Sequence, residues 1–294
     1  MKYQLYLFLF HALALLPLSI LYIFSDILYV IIYRCGKYRL NIVRQNLRRA
    51  FPDAGEKTLK ETEQKFYHHF CDNIVETIKL LHISNRELEK RIQVNNSKLV
   101  QSLIEQNKSA ILFLGHYGNW EWVPAITLTY SPSIISGQIY RPLKDLAFNR
   151  LMLKIRSRFR TISIPQKRAF RTLLRIKKEQ KIFVVGFIAD QRPNSTTLHH
   201  WIQFFHQDTA YASGGEEIGN RIEAEYLYLD IEKIKRGHYK MTFREIIPLQ
   251  DNQEYPYTRQ YLKMLEQSIL REPAYWLWTH RRWLFSKDNS KNYQ

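Results

Sequence analysis

Residues 5–25 run without one charged side chain, and residues 27–33 continue the apolar stretch after Asp26. A helix that crosses a bilayer needs about 20 mostly apolar residues, so this run commits the N-terminus to a membrane-contacting element. The remainder is polar enough to hold the mean hydropathy at −0.37. The pattern therefore predicts one anchor, residues 1–33, a folded body, residues 34–285, and a polar tail, residues 286–294, that frays. A cleaved signal peptide is the rival reading, but the run exceeds the roughly 7–15 residues of such a segment and no small-x-small cleavage site follows it. A shallow helix lying in one leaflet, with Asp26 at the headgroups, is the other. Arg34, Lys37, Arg39, Arg44, Arg48 and Arg49 follow with no intervening acid, against Lys2 alone on the other side. Positive charge is retained on the cytoplasmic side, so the body is expected to face the cytoplasm.

Charge narrows the partners. The chain carries 44 Lys+Arg against 27 Asp+Glu, a net +17, and residues 141–181 hold 14 of the cations with two acids, Asp145 and Glu179, a local excess of +12. Such a face suits anionic headgroups, a phosphorylated substrate, an acidic carrier protein or nucleic acid; a solvated helix face is the bland alternative. No nucleic-acid motif accompanies it, so no nucleic acid is expected. The two cysteines, Cys35 and Cys71, exclude a disulfide framework and a thiolate zinc site and fit a reducing compartment.

Behind the apolar run, Val43, Leu47, Ala50 and Phe51 recur at helical spacing over residues 41–51. Phe66, Phe70, Ile74, Ile78 and Leu81 do the same over residues 58–81. This predicts a helical N-terminal layer. Short runs rich in branched and aromatic residues then mark strands at 110–114, 134–140, 182–189, 201–205, 224–231 and 239–247. Helical stretches at 169–180 and 257–270 lie among them, and the alternation argues an α/β domain.

Three polar residues stand just past predicted strands: His116, Arg141 and Asp190. Ligands of open α/β sheets bind outside the carboxyl ends of the strands, so a base, a cation and a carboxylate are expected to converge at one sheet edge. Asn119 is a good N-cap and places Glu121 in a first helical turn, from which Glu121 is expected to orient His116 as a general base. The spacing alone is weak, since His82 and Glu87 repeat it. His116, however, follows a strand and is flanked by Gly115 and Gly118, whereas His82 ends an amphipathic helix. Arg141, restricted by Pro142, could hold a phosphate or pair with Asp190. The chain has no P-loop, no Gly-x-Gly-x-x-Gly, no Gly-x-Ser-x-Gly and no His-Glu-x-x-His. His199, His200 and His206 form no recognisable ligand pattern, so no metal is expected. Trp276, Trp278 and Trp283 around His280, Arg281 and Arg282 read as an interfacial belt or a headgroup site.

Taken together, these motifs resemble the late lipid A biosynthesis acyltransferases (lauroyl/myristoyl transferases) of the lysophospholipid acyltransferase superfamily. The pieces are the anchor, Asn46-Leu47 with Phe51-Pro52, His116-x-x-x-x-Glu121, Tyr140-Arg141-Pro142, Ala189-Asp190-Gln191, Phe204-Phe205 and the 273–283 segment with Trp-Thr-His-Arg-Arg. The resemblance implies a central mixed sheet flanked by helices, as in glycerolipid acyltransferases. It implies transfer of a fatty acyl chain from acyl carrier protein to a hydroxyl of a lipid A precursor, a phosphorylated glycolipid, at the inner membrane of a Gram-negative cell during lipopolysaccharide assembly. His116 would be the general base and Glu121 its partner. Arg141 and Asp190 would belong to the polar lining, and Asn119, Arg281 and Arg282 complete the expected substrate-binding set. No cofactor is implied, the acyl carrier thioester being the donor substrate. The chain departs from the family pattern at His206, where Phe-Phe is usually followed by Gly, at the acidic Ser213-Gly-Gly-Glu-Glu217, and at Pro273-Ala-Tyr-Trp276. An acyltransferase for another lysolipid or aminolipid, and a non-catalytic membrane-tethered basic module, are the competing readings. His116→Ala separates the last from an enzyme.

Overall fold

The computed structural model describes residues 2–195 and 198–287; most of the predicted tail, 288–294, lies outside the described residues. The strands in chain order are β1 (Ile92–Asn95), β2 (Ala110–Leu114), β3 (Ile135–Tyr140), β4 (Ile162–Pro165), β5 (Phe183–Ile188), β6 (His200–Phe204), β7 (Gln207–Tyr211), β8 (Glu225–Lys235) and β9 (His238–Glu245). Seven of them form one sheet in the order β1-β9-β8-β2-β5-β3-β4, and β6 with β7 make a separate hairpin. Only β8 and β9 run antiparallel within the large sheet. The architecture is thus α/β with a central mixed sheet flanked by helices. Every residue of β2 is buried, because both faces of a parallel sheet are covered. Its unbroken Ala-Ile-Leu-Phe-Leu run reflects that.

The helices are α1 (Lys2–Leu15), α2 (Leu18–Tyr29), α3 (Leu40–Ala50), α4 (Glu56–Lys79), α5 (Asn85–Arg91), α6 (Lys98–Glu105), α7 (Leu146–Arg156), α8 (Ala169–Lys178), α9 (Gly214–Arg221) and α10 (Pro256–Arg271). The apolar N-terminus is therefore two helices rather than one. Pro17 lacks an amide proton and ends the first; α2 continues through a π-helical turn, Val30–Cys35. The segment long and apolar enough to cross a membrane is Leu18–Cys35, 18 residues of mean hydropathy 1.7, later in the chain than the charge-free run indicated.

One side of α2 is joined to the body. Ser25 Oγ donates to Asp72 (2.8 Å), Tyr22 to Glu76 (2.9 Å) and, just beyond α2, Tyr33 to Glu63 (2.7 Å), while Ile20, Ile23, Phe24, Ile27 and Ile31 stay exposed. On α1, Tyr6 and Phe10 pack edge-on against Phe148 of α7. These contacts make α4 a central helix covered on more than one side. It buries Glu63, His69, Asp72, Asn73 and Glu76 along with Phe66, Val75 and Ile78, while Phe70 and Ile74 of the predicted stripe are only half-buried.

Candidate active site

The adjacent strands β2, β5 and β3 are parallel, so their carboxyl ends deliver His116, Asp190 and Arg141 to one edge of the sheet. The sequence turns sharply after β2. A Cβ on Gly115 would stand 2.5 Å from Leu265 Cδ1, and Gly118 has φ +60 with Ile231 Cγ2 2.6 Å from where its Cβ would be. Position 118 therefore needs glycine, a side chain at Gly115 would require Leu265 to shift, and His116 sits between them.

Asp190 is 2 % exposed and grips His116 twice. Its Oδ1 is 2.6 Å from His116 Nδ1, and its Oδ2 accepts the His116 backbone N–H at 2.8 Å. Oδ2 also accepts from Trp276 Nε1 at 2.8 Å. Burial pushes the Asp190 carboxyl up, but the His116 charge and these donors outweigh it and hold the group at about 2. A carboxylate can only accept, so Nδ1 of His116 is the donor to Asp190, and in the neutral imidazole this leaves the lone pair on Nε2. Nε2 lies 3.4 Å from the Gln191 side-chain amide, and Trp120 stands edge-on to the ring at 5.3 Å.

Glu121 does not orient His116. Its oxygens are taken by Arg156 at the end of α7, with Nε at 2.9 Å and Nη2 at 2.5 Å. The physical reason is local: Trp120–Thr129 is a 3₁₀ helix, and the two-pronged guanidinium engages both carboxylate oxygens and holds them towards α7. Asn119 does cap this helix, accepting from Trp122 N (3.1 Å), but its amide donates to Glu76 and it is 1 % exposed. Asn119 is a buried joint rather than a substrate contact. Arg141 is exposed and has not paired with Asp190, whose oxygens His116 and Trp276 occupy.

A cavity of about 990 Å³ opens beside His116. Val123, Ile126, Tyr130, Ile139 and Val184 give it an apolar wall, while His116, Glu121, Arg141, Lys144, Arg156 and Arg192 line the polar part. The basic segment thus contributes to the site through Arg141, Lys144 and Arg156. The remainder of it stays largely at the surface, apart from Arg158, which donates to the carbonyls of Leu80 and Ile83.

The C-terminal segment braces the site from behind. Leu277 N donates to His116 O (3.0 Å) and Gly118 N to Tyr275 O (2.9 Å). Trp276, Trp278 and Trp283 are buried, packing on Phe51, Phe204 and Phe205, so they are core and neither an interfacial belt nor a headgroup site. Arg282, 3 % exposed, donates to Ala210 O (2.7 Å) and lines neither cavity; Arg281 lines a second, basic cavity. The sequence gives no sign that Trp276, read there as part of a belt or headgroup site, bonds Asp190, or that Arg156 holds Glu121. An indole beside a buried carboxylate, and a cation one element away from Glu121, leave no spacing signal.

Two departures in the sequence have structural explanations. His206 has φ +57 in the β6–β7 turn, a conformation that favours glycine. Glu216 is buried and accepts from Tyr257 N (3.3 Å) and Thr258 N (2.7 Å) at the start of α10, where a carboxylate is favoured. The other histidines serve elsewhere. His82 Nε2 meets His11 Nδ1 at 2.6 Å, and Glu87 pairs with Arg91. Among the described residues no three His, Cys, Asp or Glu side chains gather as metal ligands.

The family model described as bacterial lipid A biosynthesis acyltransferase matches residues 1–285. No curated protein matches the chain.

Proposed function

The chain belongs to the bacterial lipid A biosynthesis acyltransferases, and on that premise we propose that it moves a fatty acyl chain from acyl carrier protein to a hydroxyl of a lipid A precursor. The observation that carries this reading is the His116–Asp190 pair opening onto a cavity with an apolar wall. The acceptor hydroxyl gives its proton to His116 Nε2 as its oxygen attacks the thioester carbonyl. Asp190 stabilises the imidazolium that forms. The tetrahedral intermediate then expels the carrier thiolate, which takes the proton back from His116. No covalent enzyme intermediate and no cofactor enters this scheme. The acyl chain lies along Val123, Ile126 and Ile139, and Arg141 and Lys144 face the anionic substrates.

The site reaches its lipid because the outward faces of α1 and α2 enter the inner membrane, with the body on the cytoplasmic side. Leu5, Phe8 and Leu9 on α1 and Ile20, Ile23 and Phe24 on α2 supply the apolar surface. Mass spectrometry of lipid A and total lipids tests the function in cells lacking the protein, complemented with the natural sequence or His116→Ala at matched expression. Loss of one acyl chain from lipid A, restored by the natural sequence alone, is the expected result. An acyl group lost from another lipid class would keep the enzyme and replace the acceptor. Equal rescue by His116→Ala would reject the general base.

A further inference from the structure

A second cavity, about 680 Å³, is lined by Lys37, Arg39, Leu40, Asn41, Ile42, Arg192, His280 and Arg281. Four of the eight are cations and none is an acid. Three distant segments build it. The turn between the apolar helix and α3 supplies Lys37 and Arg39, both in left-handed backbone conformations (φ 45 and 53). Arg39 Nη1 donates to Thr279 O (3.1 Å), and Arg192 N donates to His280 Nε2 (3.1 Å). Asn46 Nδ2 ties the third segment down through the carbonyls of Trp278 and His280, each at 2.8 Å. Cations held together with no counter-charge repel one another, and an anion relieves that repulsion. Arg192 Nε is buried and has no hydrogen-bond partner among the described residues, which leaves a donor to satisfy. His280, accepting from Arg192 N, is held neutral by burial and by Arg282, so it adds no charge to the pocket.

Arg192 also lines the His116 cavity, so the two cavities share a wall. We propose that this basic pocket binds a phosphoryl group of a substrate whose reacting end lies at His116. The proposal rests on the acyl-transfer reading above. The same chemistry is offered by a sugar phosphate on the acceptor lipid and by the phosphodiester of the carrier's prosthetic arm. The pocket adjoins the turn that follows the apolar helix, the level at which a lipid headgroup would stand.

The test is calorimetric titration of the full chain in detergent with glucosamine 1-phosphate and with phosphopantetheine, each beside its unphosphorylated twin. Natural protein, His116→Ala and a Lys37→Gln, Arg281→Gln double variant are compared. Lys37 and Arg281 are exposed, so these substitutions leave the core alone. At least one phosphorylated probe is expected to bind more tightly than its twin by about tenfold or more, the double variant to lose that preference, and His116→Ala to keep it. The sugar phosphate binding alone assigns the pocket to the acceptor; phosphopantetheine alone assigns it to the donor. No preference for phosphate, or a preference that survives in the double variant, overturns the site. Acyl transfer by the natural protein is assayed in parallel. Phosphate binding without transfer would defeat the reaction and spare the pocket, whereas transfer with an unchanged KM for both substrates in the double variant would do the reverse.

Discussion

Asp190 fixes His116 through two atoms of one residue, the ring Nδ1 at 2.6 Å and the backbone N–H at 2.8 Å. The carboxylate thus sets tautomer and loop position together. Asp190→Asn preserves the shape but offers the ring a neutral acceptor or, in its other orientation, a donor. The expected loss is about 10²- to 10⁴-fold in kcat with little change in KM. Asp190→Asn with an unaltered kcat and pH–rate profile would sink the assignment.

Glu121 and Arg156 are energetically one unit. Their side chains are 13 % and 22 % exposed and make two parallel hydrogen bonds. Removing either partner leaves the other poorly compensated in the cavity wall. A double-mutant cycle with Glu121→Gln and Arg156→Met, read by chemical denaturation, should give a coupling of about 1–3 kcal/mol. The corresponding cycle between Glu121→Gln and His116→Ala should give about zero, since no hydrogen bond joins those side chains. The reverse pattern would restore Glu121 as the histidine's partner.

Much of this was legible in the sequence, for identifiable reasons. Strands β2 and β5 are buried, unbroken apolar runs and β3 is a half-buried one edged by Ile and Tyr, so all three stand out, and sheet geometry then forces His116, Arg141 and Asp190 to one edge. The partner of His116 was not legible. Glu121 is near in sequence but sits on a 3₁₀ turn, while Asp190 is 74 residues away and adjacent only because β2 pairs with β5. Strands β1, β4 and β7 escaped because they have four or five residues each, with at most two large apolar side chains to mark them. The polar side of α2 escaped because Tyr22 and Ser25 read as tolerated members of an apolar run, and their partners Glu76 and Asp72 lie on another helix.

The β6–β7 turn predicts a stabilising change. Phe205 and His206 both have positive φ, 51 and 57, as a two-residue hairpin loop of this hand demands. His206 is exposed, so glycine there removes backbone strain and no packing. His206→Gly should raise stability by about 0.5–1 kcal/mol after the entropy cost of glycine. Phe205→Gly should destabilise, because Phe205 is buried against Phe51, Trp276 and Trp278. A lower denaturation midpoint for His206→Gly would mean that the imidazole has a role at the surface.

Acid should weaken the fold first through its desolvated histidines, His68 and His82 to a lesser degree and His69 and His280 most. Burial, with Lys233 beside it, lowers His69 well below the usual range, and burial, with Arg282 beside it, lowers His280 to about 4. The unfolded chain protonates both near 6.5, so below that pH it binds more protons than the native state does. Stability is therefore full above about 6.5 and falls as the pH drops. The His280 contribution is exhausted near 4, and its whole span is about 3 kcal/mol. Asp190, held at about 2, has the opposite kind of shift: its stabilising share is present above about 4 and is lost only as the pH falls towards 2. Denaturation midpoints from pH 8 to 4 should show the first decline, and His280→Asn, whose amide oxygen can still accept from Arg192 N, should flatten part of it. An unchanged slope in His280→Asn would mean that His280 is protonated as readily in the folded protein as in the unfolded chain.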